Sequence, residues 1–359
     1  MTMVLEAPND RVLQADLEYI ARKTPDPDAF RGRYLAVTGA TGLVGSLTVK
    51  ALCCLNRLQG LGVHVIACVR SREKAQQVLG PLLDRPELTL VQWDASRPLS
   101  IEGPVDYLIH TASATASKYF VTRPVETLLT AVDGTRHALE LARQKQARGM
   151  VYVSSMEAFG VTDPGLAQVQ EPDLGYVDIL SVRSSYSEGK RACECLCAAY
   201  ASEYGVPVRI ARLAQTFGAG VSREDNRVFA QFTRSCLAGQ DIVLHTRGAS
   251  VGNYCYTADT VAALLTLLLR GEAGQAYTVA NETASMPIRS VAELASQTLS
   301  GGKVGIVFDI PKDSMTYGYA PDVTMHLSSA KLRAIGWTPE VPLPEMFRRL
   351  AESFRQQGI

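Results

Sequence analysis

Tyr186 and Lys190 stand four residues apart in Tyr186-Ser187-Glu188-Gly189-Lys190, a spacing that places both on one face of a helix. The pairing makes chemical sense. A free phenol has a pKa of about 10, too high for a base at neutral pH. A lysine ammonium one turn away favours the phenolate and can also hold ribose hydroxyls. Ser155 ends the apolar stretch "GMVYVSS" upstream of that helix, where its hydroxyl can bond a reacting oxygen. The three together can move a proton while a carrier takes or gives a hydride.

Such a carrier needs its own seat, and "VTGATGLVGS" has the form of one. Gly39, Gly42 and Gly45 recur three apart, directly after an apolar strand and at the opening of a helix. The first permits a tight turn, the second lets backbone approach a pyrophosphate, and the third allows close helix–strand packing. The helix start then offers unpaired N–H groups to phosphate. This strand–turn–helix context points to a bound dinucleotide, NAD or NADP. The second strand ends in Cys68-Val69-Arg70-Ser71-Arg72. An acid near this place serves the ribose hydroxyls of NAD, whereas an Arg accommodates the extra phosphate of NADP. Arg70, with Arg72 and Lys74 close by, leans towards NADP. Asp94, ending the third strand, is placed to accept from an adenine amino group.

The frame that positions these residues is legible as alternation. "YLAVTG", "VHVIACVR", "LTLVQWD", "VDYLIHTA", "GMVYVSS" and "VPVRIARLA" read as short apolar strands, with helical stretches such as "PVETLLTAVDGTRHALELARQK" and "YSEGKRACECLCAAYASEYG" between them. Strands covered on both faces have this Val/Ile-rich character. The fold class is α/β, a Rossmann-type doubly wound parallel sheet with a smaller C-terminal substrate-binding lobe. Residues 1–30 read as a polar N-terminal extension, in which "DLEYIARK" predicts a short amphipathic helix broken by Pro25 and Pro27. Residues 31–214 form the dinucleotide-binding domain, to which 256–272 returns. Residues 215–255 and 273–359 are mainly the smaller lobe.

Composition narrows the partners. Lys+Arg and Asp+Glu are each 36, so nothing draws the chain in bulk to nucleic acid or an anionic membrane. The longest apolar run, Val261 to Leu269, is helix-sized and ends at Arg270, short of the roughly 20 residues a bilayer span needs. Glu6, Asp10, Asp16 and Glu18 precede any strong apolar segment, which argues against a signal peptide. Cys193, Cys195 and Cys197 lie two apart on a helix and cannot all face one ion, so they read as packing residues, with no metal site expected. A reducing cytoplasm fits best.

With these pieces in hand, the sequence resembles the extended short-chain dehydrogenase/reductases of the NAD-dependent, nucleotide-sugar-modifying epimerase/dehydratase family. The resemblance runs from about Tyr34 to "KLRAIGWTPEVPL". It rests on the glycine loop, "HTAS" (His110 to Ser113), Ser155 five residues before Gly160, Tyr186 with Lys190, and "RLAQTFG" (Arg212 to Gly218). It implies a nucleoside-diphosphate sugar in the smaller lobe, oxidised at carbon 4 to a transient ketone before epimerisation, dehydration or decarboxylation. It implies a cofactor seat of Gly39, Thr41, Gly42, Leu43, Val44 and Gly45, with Arg70, Asp94, Ala95, Thr111, Ala112, Ser113, Tyr186 and Lys190. It also implies a homodimer through the Tyr/Lys helix and the long helix before it; Ala192, Ala198, Ala199 and Ala201 suit such packing.

The residues after Ser155 discriminate among reactions. Glucose-nucleotide 4,6-dehydratases carry Thr-Asp-Glu, with the Asp as acid and the Glu as base; here the triplet is Ser155-Met156-Glu157. Met156 cannot donate a proton, while Glu157 keeps the base position, as in mannose-nucleotide dehydratases and glucuronate decarboxylases. "REDNRVFAQF" (Arg223 to Phe232) resembles the decarboxylase stretch that brings an Arg, here Arg227, to the pyrophosphate. The late R-x-P segment of those enzymes reads Tyr319-Ala320-Pro321, without the Arg. Gly252 stands where the group has an Arg for substrate phosphate, Gln215 where Asn is usual, and Ala131 where an Asn helps organise the helix. Substrate contacts are expected from Gln215, Arg227 and Tyr254. The leading expectation is a nucleotide-sugar epimerase/dehydratase-type oxidoreductase. The alternatives are a UDP-glucuronate decarboxylase-like enzyme and an NADPH-dependent carbonyl reductase.

Overall fold

The computed structural model describes residues 5–311 and 322–358. The alternation becomes strands β1 (Tyr34–Thr38), β2 (His64–Val69), β3 (Leu88–Gln92), β4 (Tyr107–His110), β5 (Gly149–Ser155) and β6 (Val208–Leu213). Helices α1 (Arg11–Lys23), α2 (Leu43–Gln59), α3 (Arg72–Leu79), α4 (Ser117–Thr122), α5 (Pro124–Gln144) and α6 (Ser184–Tyr204) precede and separate them. Then follow β7 (Gln215–Phe217), α7 (Val228–Ala238), β8 (Ile242–Leu244), β9 (Val251–Tyr256), α8 (Thr257–Arg270), β10 (Ala276–Val279), β11 (Asn281–Pro287), α9 (Ile288–Ser300), β12 (Ile306–Phe308), α10 (Ala330–Arg333) and α11 (Leu343–Gln356).

The large sheet has the order β10-β6-β5-β4-β1-β2-β3, and every neighbouring pair is parallel. From β1 the chain winds outward through β2 and β3, then crosses back to β4 and winds the other way. The order therefore reverses between β1 and β4, which opens a crevice at their carboxyl ends, the place where open α/β sheets bind ligands. Alternate residues of one strand feed opposite cores. Leu35 and Val37 join one apolar cluster and Ala36 the other; Val65 and Ala67 oppose Ile66 in the same way. Both faces are thus covered, as the apolar strands imply.

Two features depart from the sequence reading. Ala276–Val279 lies within the stretch expected mainly in the smaller lobe, yet it pairs with β6 from Ala276↔Ile210 to Val279↔Leu213. An uncovered β6 would leave a row of open backbone groups, and β10 closes it. The N-terminal stretch is not a polar appendage either. Helix α1 starts where the Asp10 side chain accepts from Leu13 N, and it buries Leu13, Leu17, Ile20 and Ala21 in the main core. Their helical spacing carries the burial, while the charged residues between them hide it in composition.

The smaller elements make a three-stranded sheet, β11-β9-β7, and a parallel pair, β12-β8. The apolar run Val261 to Leu269 sits in α8, buried from Thr257 to Leu268. Among the described residues no helix is long and apolar enough to cross a membrane.

Candidate active site

The glycine loop leaves β1 at Gly39, whose φ of 64° favours glycine. A Cβ there would lie 2.7 Å from Thr111 Oγ1 and 2.8 Å from Ala112 N. A Cβ on Gly45 would lie 2.3 Å from Gly39 O. Packing alone therefore requires these two glycines. Gly42 is different. A Cβ there would meet only Gly39 O, at 3.3 Å, and the space beyond is open. Gly42 is also the N-cap of α2, and no side chain caps that helix start. Thr41, Leu43 and Val44 are partly exposed around it. An open approach over uncapped N–H groups fits the pyrophosphate of a dinucleotide.

Thr111, just past β4, fastens this loop: its hydroxyl donates to Thr38 O at 2.7 Å. Ser113 Oγ donates to Ala114 O at 3.2 Å. His110 is buried between Thr38 Oγ1, 2.7 Å from Nδ1, and Thr135 Oγ1, 3.4 Å from Nε2. Burial, with Lys190 nearby, pulls its imidazole down to about 3, so it is a neutral structural group. On the far side of the crevice, Arg70, Arg72 and Lys74 are exposed where β2 gives way to α3. Asp94 is exposed beyond β3, and its Oδ1 accepts from Ser96 N at 2.9 Å and Ser96 Oγ at 2.6 Å. Those bonds, helped by Arg70, hold its carboxyl below the usual range. The carbonyl of Ala95 lies 3.1 Å from His137 Nδ1.

Ser155 is the last residue of β5, and α6 brings Tyr186 and Lys190 beside it. The Lys190 ammonium is buried, donates to Val153 O at 2.8 Å, and lies 5.7 Å from the centre of the Tyr186 ring. Burial lowers it to about 8. The Tyr186 ring stacks on Phe120, centroids 4.2 Å apart and planes 9° apart. Burial pushes its phenol up to about 12, and the Glu157 charge adds to this; the Ser155 hydroxyl, Arg183 and Arg227 act the other way. A buried network holds the frame. Ser154 Oγ donates to Glu194 Oε1 at 2.5 Å, and Arg212 grips the same carboxylate through Nε and Nη2, so β5, β6 and α6 are tied together.

Glu157 follows in a short 3₁₀ turn (Met156–Phe159) that Ser155 caps, accepting from Glu157 N at 3.2 Å. Its Oε1 accepts from Arg183 Nη2 at 2.9 Å and its Oε2 from Ser187 Oγ at 3.1 Å. Arg183 is a residue that sequence reasoning missed. It is buried and sits over the Phe120 ring, 4.9 Å from the centroid. The one local signal was an Arg immediately before a helix start, where the helix dipole disfavours a cation.

The expected substrate residues divide. Gln215, on β7, is half-buried and pairs in register with Tyr254. Arg227 stands at the N-cap position of α7 without a capping hydrogen bond from its side chain, and Asp225 holds it, with Nη2 2.6 Å from Oδ2 and Nε 3.1 Å from Oδ1. Tyr254 requires a correction. It is fully buried edge-on to Phe217, centroids 5.8 Å apart, and its hydroxyl has no hydrogen-bond partner among the described residues. It therefore offers no surface to a ligand. The cause is Gly252: a Cβ there would lie 2.4 Å from the Tyr254 hydroxyl, so the missing side chain is what lets the ring fold in. Ala131 is buried on α5, and its carbonyl accepts from Cys193 Sγ at 3.2 Å. Cys193 and Cys197 are buried, and Cys195 is exposed. Tyr319-Ala320-Pro321 lies outside the described residues.

A profile of the NAD dependent epimerase/dehydratase family matches residues 35–281, from β1 into β11. The chain belongs to that family. It is accordingly an NAD(P)-dependent enzyme of the extended short-chain dehydrogenase/reductase type. UDP-glucuronic acid decarboxylase 6 of Arabidopsis thaliana is 29% identical over 322 residues, covering 89% of this chain and 88% of that protein. UDP-glucuronic acid decarboxylase 1 of Xenopus tropicalis is 29% identical over 90% of this chain and 72% of its own length. Among solved structures, a dTDP-glucose 4,6-dehydratase from Streptomyces venezuelae superposes with a TM-score of 0.74 at 24% identity, covering 90% of this chain and 97% of that one. A UDP-glucose 4-epimerase from Thermotoga maritima does so with a TM-score of 0.73 at 19% identity, covering 90% and 99%. These structures share the fold.

As a member of this family, the chain gathers its loop and its hydroxyl, phenol and ammonium groups at the carboxyl ends of β1, β4 and β5 and on the adjoining face of α6. Such an arrangement can seat a dinucleotide and exchange a proton with an alcohol beside it.

Proposed function

We propose that the chain oxidises a nucleoside-diphosphate sugar at carbon 4 to a transient ketone and then returns the hydride. A bound nicotinamide dinucleotide supplies the hydride acceptor and donor. Tyr186 takes the proton of the sugar hydroxyl, Lys190 stabilises the phenolate, and Ser155 holds the reacting oxygen. The observation that carries this reading is the placement of Lys190 and Tyr186 beside Ser155, with the uncapped Gly42 end of α2 in the same crevice. Gln215 and Arg227 are the proposed substrate contacts. Arg70, exposed and with no acid in the Arg70-Ser71-Arg72 turn, supports a preference for NADP over NAD.

A decarboxylase-like outcome is the second reading. It is favoured by decarboxylase relatives that align with 89% of the chain, and by Met156 in the acid position of the 4,6-dehydratases. A homodimer is also proposed. Val125 and Leu129 on α5 and Ala192, Ala198 and Ala199 on α6 are exposed, forming an apolar, small-residue surface suited to helix pairing. The eight unpaired cysteines suit a reducing compartment, in keeping with a cytoplasmic location.

The test is incubation of purified protein with UDP-glucose and with UDP-glucuronate, followed by mass analysis of products and of retained cofactor. The expected result is a changed sugar nucleotide without net cofactor consumption. Stoichiometric loss of NADPH with a simple carbonyl compound, and no change in either sugar nucleotide, would replace this reading with the carbonyl reductase.

A further inference from the structure

Arg183 holds a position that helix energetics do not explain. It is the N-cap residue of α6, and its side chain makes no capping hydrogen bond. A cation at that end opposes the helix dipole. It is nevertheless buried, with only 6% of its surface exposed. Its guanidinium is used elsewhere: Nη2 donates to Glu157 at 2.9 Å, and the plane lies over the Phe120 ring that in turn stacks on Tyr186. Glu157 completes the arrangement by accepting from Ser187, one turn into α6. Burying half of an ion pair without the other is costly, so the two are placed as a unit.

We propose that Arg183 is a positioning residue of this site: its buried guanidinium fixes the Glu157 carboxylate at the start of α6 and sets the charge that Tyr186 meets. Glu157 and Arg183 act on the Tyr186 phenol in opposite directions. The other groups facing that phenol are Tyr152 and Ser155 on β5, Lys190 on α6 and Arg227 before α7. With Arg183 in place the carboxylate can stand near the phenol without wholly opposing its ionisation. Without it, Glu157 is an uncompensated negative charge beside the group that must become a phenolate. Glu157 thereby serves as a fixed acceptor, already engaged by Arg183 and Ser187, rather than as a mobile base.

The proposal rests on Tyr186 being the proton-transfer group, so the experiment has two arms. In the first, full-length protein carries tyrosine labelled with carbon-13 at Cζ, with Tyr186→Phe assigning the resonance. The onset of phenolate is followed with rising pH in wild type, Arg183→Met, Arg183→Lys, Glu157→Gln and the double variant. Onset should come later in Arg183→Met and earlier in Glu157→Gln. It should come near wild type in Arg183→Lys and in the double variant. In the second arm, turnover of UDP-glucose and UDP-glucuronate is followed against pH. Arg183→Met should lower kcat about tenfold at neutral pH, the equivalent of one pKa unit, with KM little changed. Arg183→Lys should restore most of it. Unchanged phenolate onset in Arg183→Met overturns the proposal. So does a kcat loss that Arg183→Lys does not relieve. If wild type turns over neither sugar nucleotide, the proposed function fails, and the first arm still decides the role of Arg183.

Discussion

At the scale of the residue, the candidate site brings together two kinds of glycine and one phenol–ammonium pair. A Gly45 Cβ would overlap Gly39 O, whereas a Gly42 Cβ has room. Gly45→Ala should therefore destabilise the fold by about 1–3 kcal/mol through overpacking. Gly42→Ala should stay within about 1 kcal/mol of wild type yet bind NAD and NADP markedly more weakly, because the methyl occupies the approach of the pyrophosphate. Thermal melts beside cofactor titrations by fluorescence separate the two; equal affinity in Gly42→Ala would remove the loop from the cofactor seat. Tyr186→Phe should cost about 10²–10⁴-fold in kcat, the usual share of general acid–base catalysis. The pH profile has a definite sign. Burial brings Lys190 to about 8, so its positive charge is complete well below that pH and lost as pH rises through it. Support for the phenolate then fades, and kcat/KM should fall above about pH 8 unless cofactor binding shifts the group further. A flat profile from pH 7 to about 10 would take Lys190 out of the mechanism.

At the scale of the element, Leu17 is the position to test, since it is fully buried where α1 meets the main core. Leu17→Ala should cost about 2–5 kcal/mol, read as a lowered denaturant midpoint with an unchanged slope. A change within the error of the midpoint would mean that α1 is an appendage after all. Helix α1 also shows what the sequence carried and what it did not. Strands β1, β2, β4, β5 and β6 were legible because each is a short, largely buried apolar run, a pattern local to the run itself, and the half-exposed edge strand β3 through its Leu88-Thr89-Leu90-Val91 stretch. Ser155, Tyr186 and Lys190 were legible because their spacing on a strand end and one helix face is local too. The burial of α1 depends on α2, α8 and α11, and β10 is a four-residue strand whose partner β6 lies far back in the chain. The Arg183–Glu157 pair joins residues across a loop, and Tyr254 is turned inward by the lack of a side chain at Gly252. These are tertiary facts, and no local period records them.

At the scale of the whole molecule, two clasps tie the N-terminal segment to the rest of the fold, and their pH responses run in opposite directions. Glu6 is buried and meets Arg57 Nη2 at 3.0 Å and Arg85 Nη2 at 2.7 Å. Burial raises its carboxyl, but Arg57, Gln14 and Arg85 together bring it below the ordinary value. Its stabilisation is therefore present above the ordinary Glu range and lost as pH falls. Asp16 faces the other way along α1. It accepts from Tyr256 at 2.5 Å and from Arg349 Nη1 at 3.0 Å, so α1 is joined to β9 and α11. Asp259, near it, accepts from Tyr19 at 2.9 Å and from Glu340 N and Val341 N, each at 3.1 Å. Burial outweighs these partners, raising Asp16 to about 7 and Asp259 to about 6 from an ordinary value of 3.8. Between that ordinary value and those raised ones the folded chain holds protons that the unfolded chain has released. The stability contributed by the protonated acids is thus complete below the ordinary Asp range and lost as pH rises through about 6 and about 7. Asp16→Asn keeps an acceptor for Tyr256 and cannot ionise, so relative to wild type it should gain melting temperature as pH rises from about 4 to about 8. Arg349 keeps Glu345, its Nε lying 2.9 Å from Oε1, which limits the loss on its side. Thermal midpoints of both proteins across that range decide the matter: a difference that does not change with pH would show that Asp16 is ionised throughout and that the clasp is an ordinary ion pair.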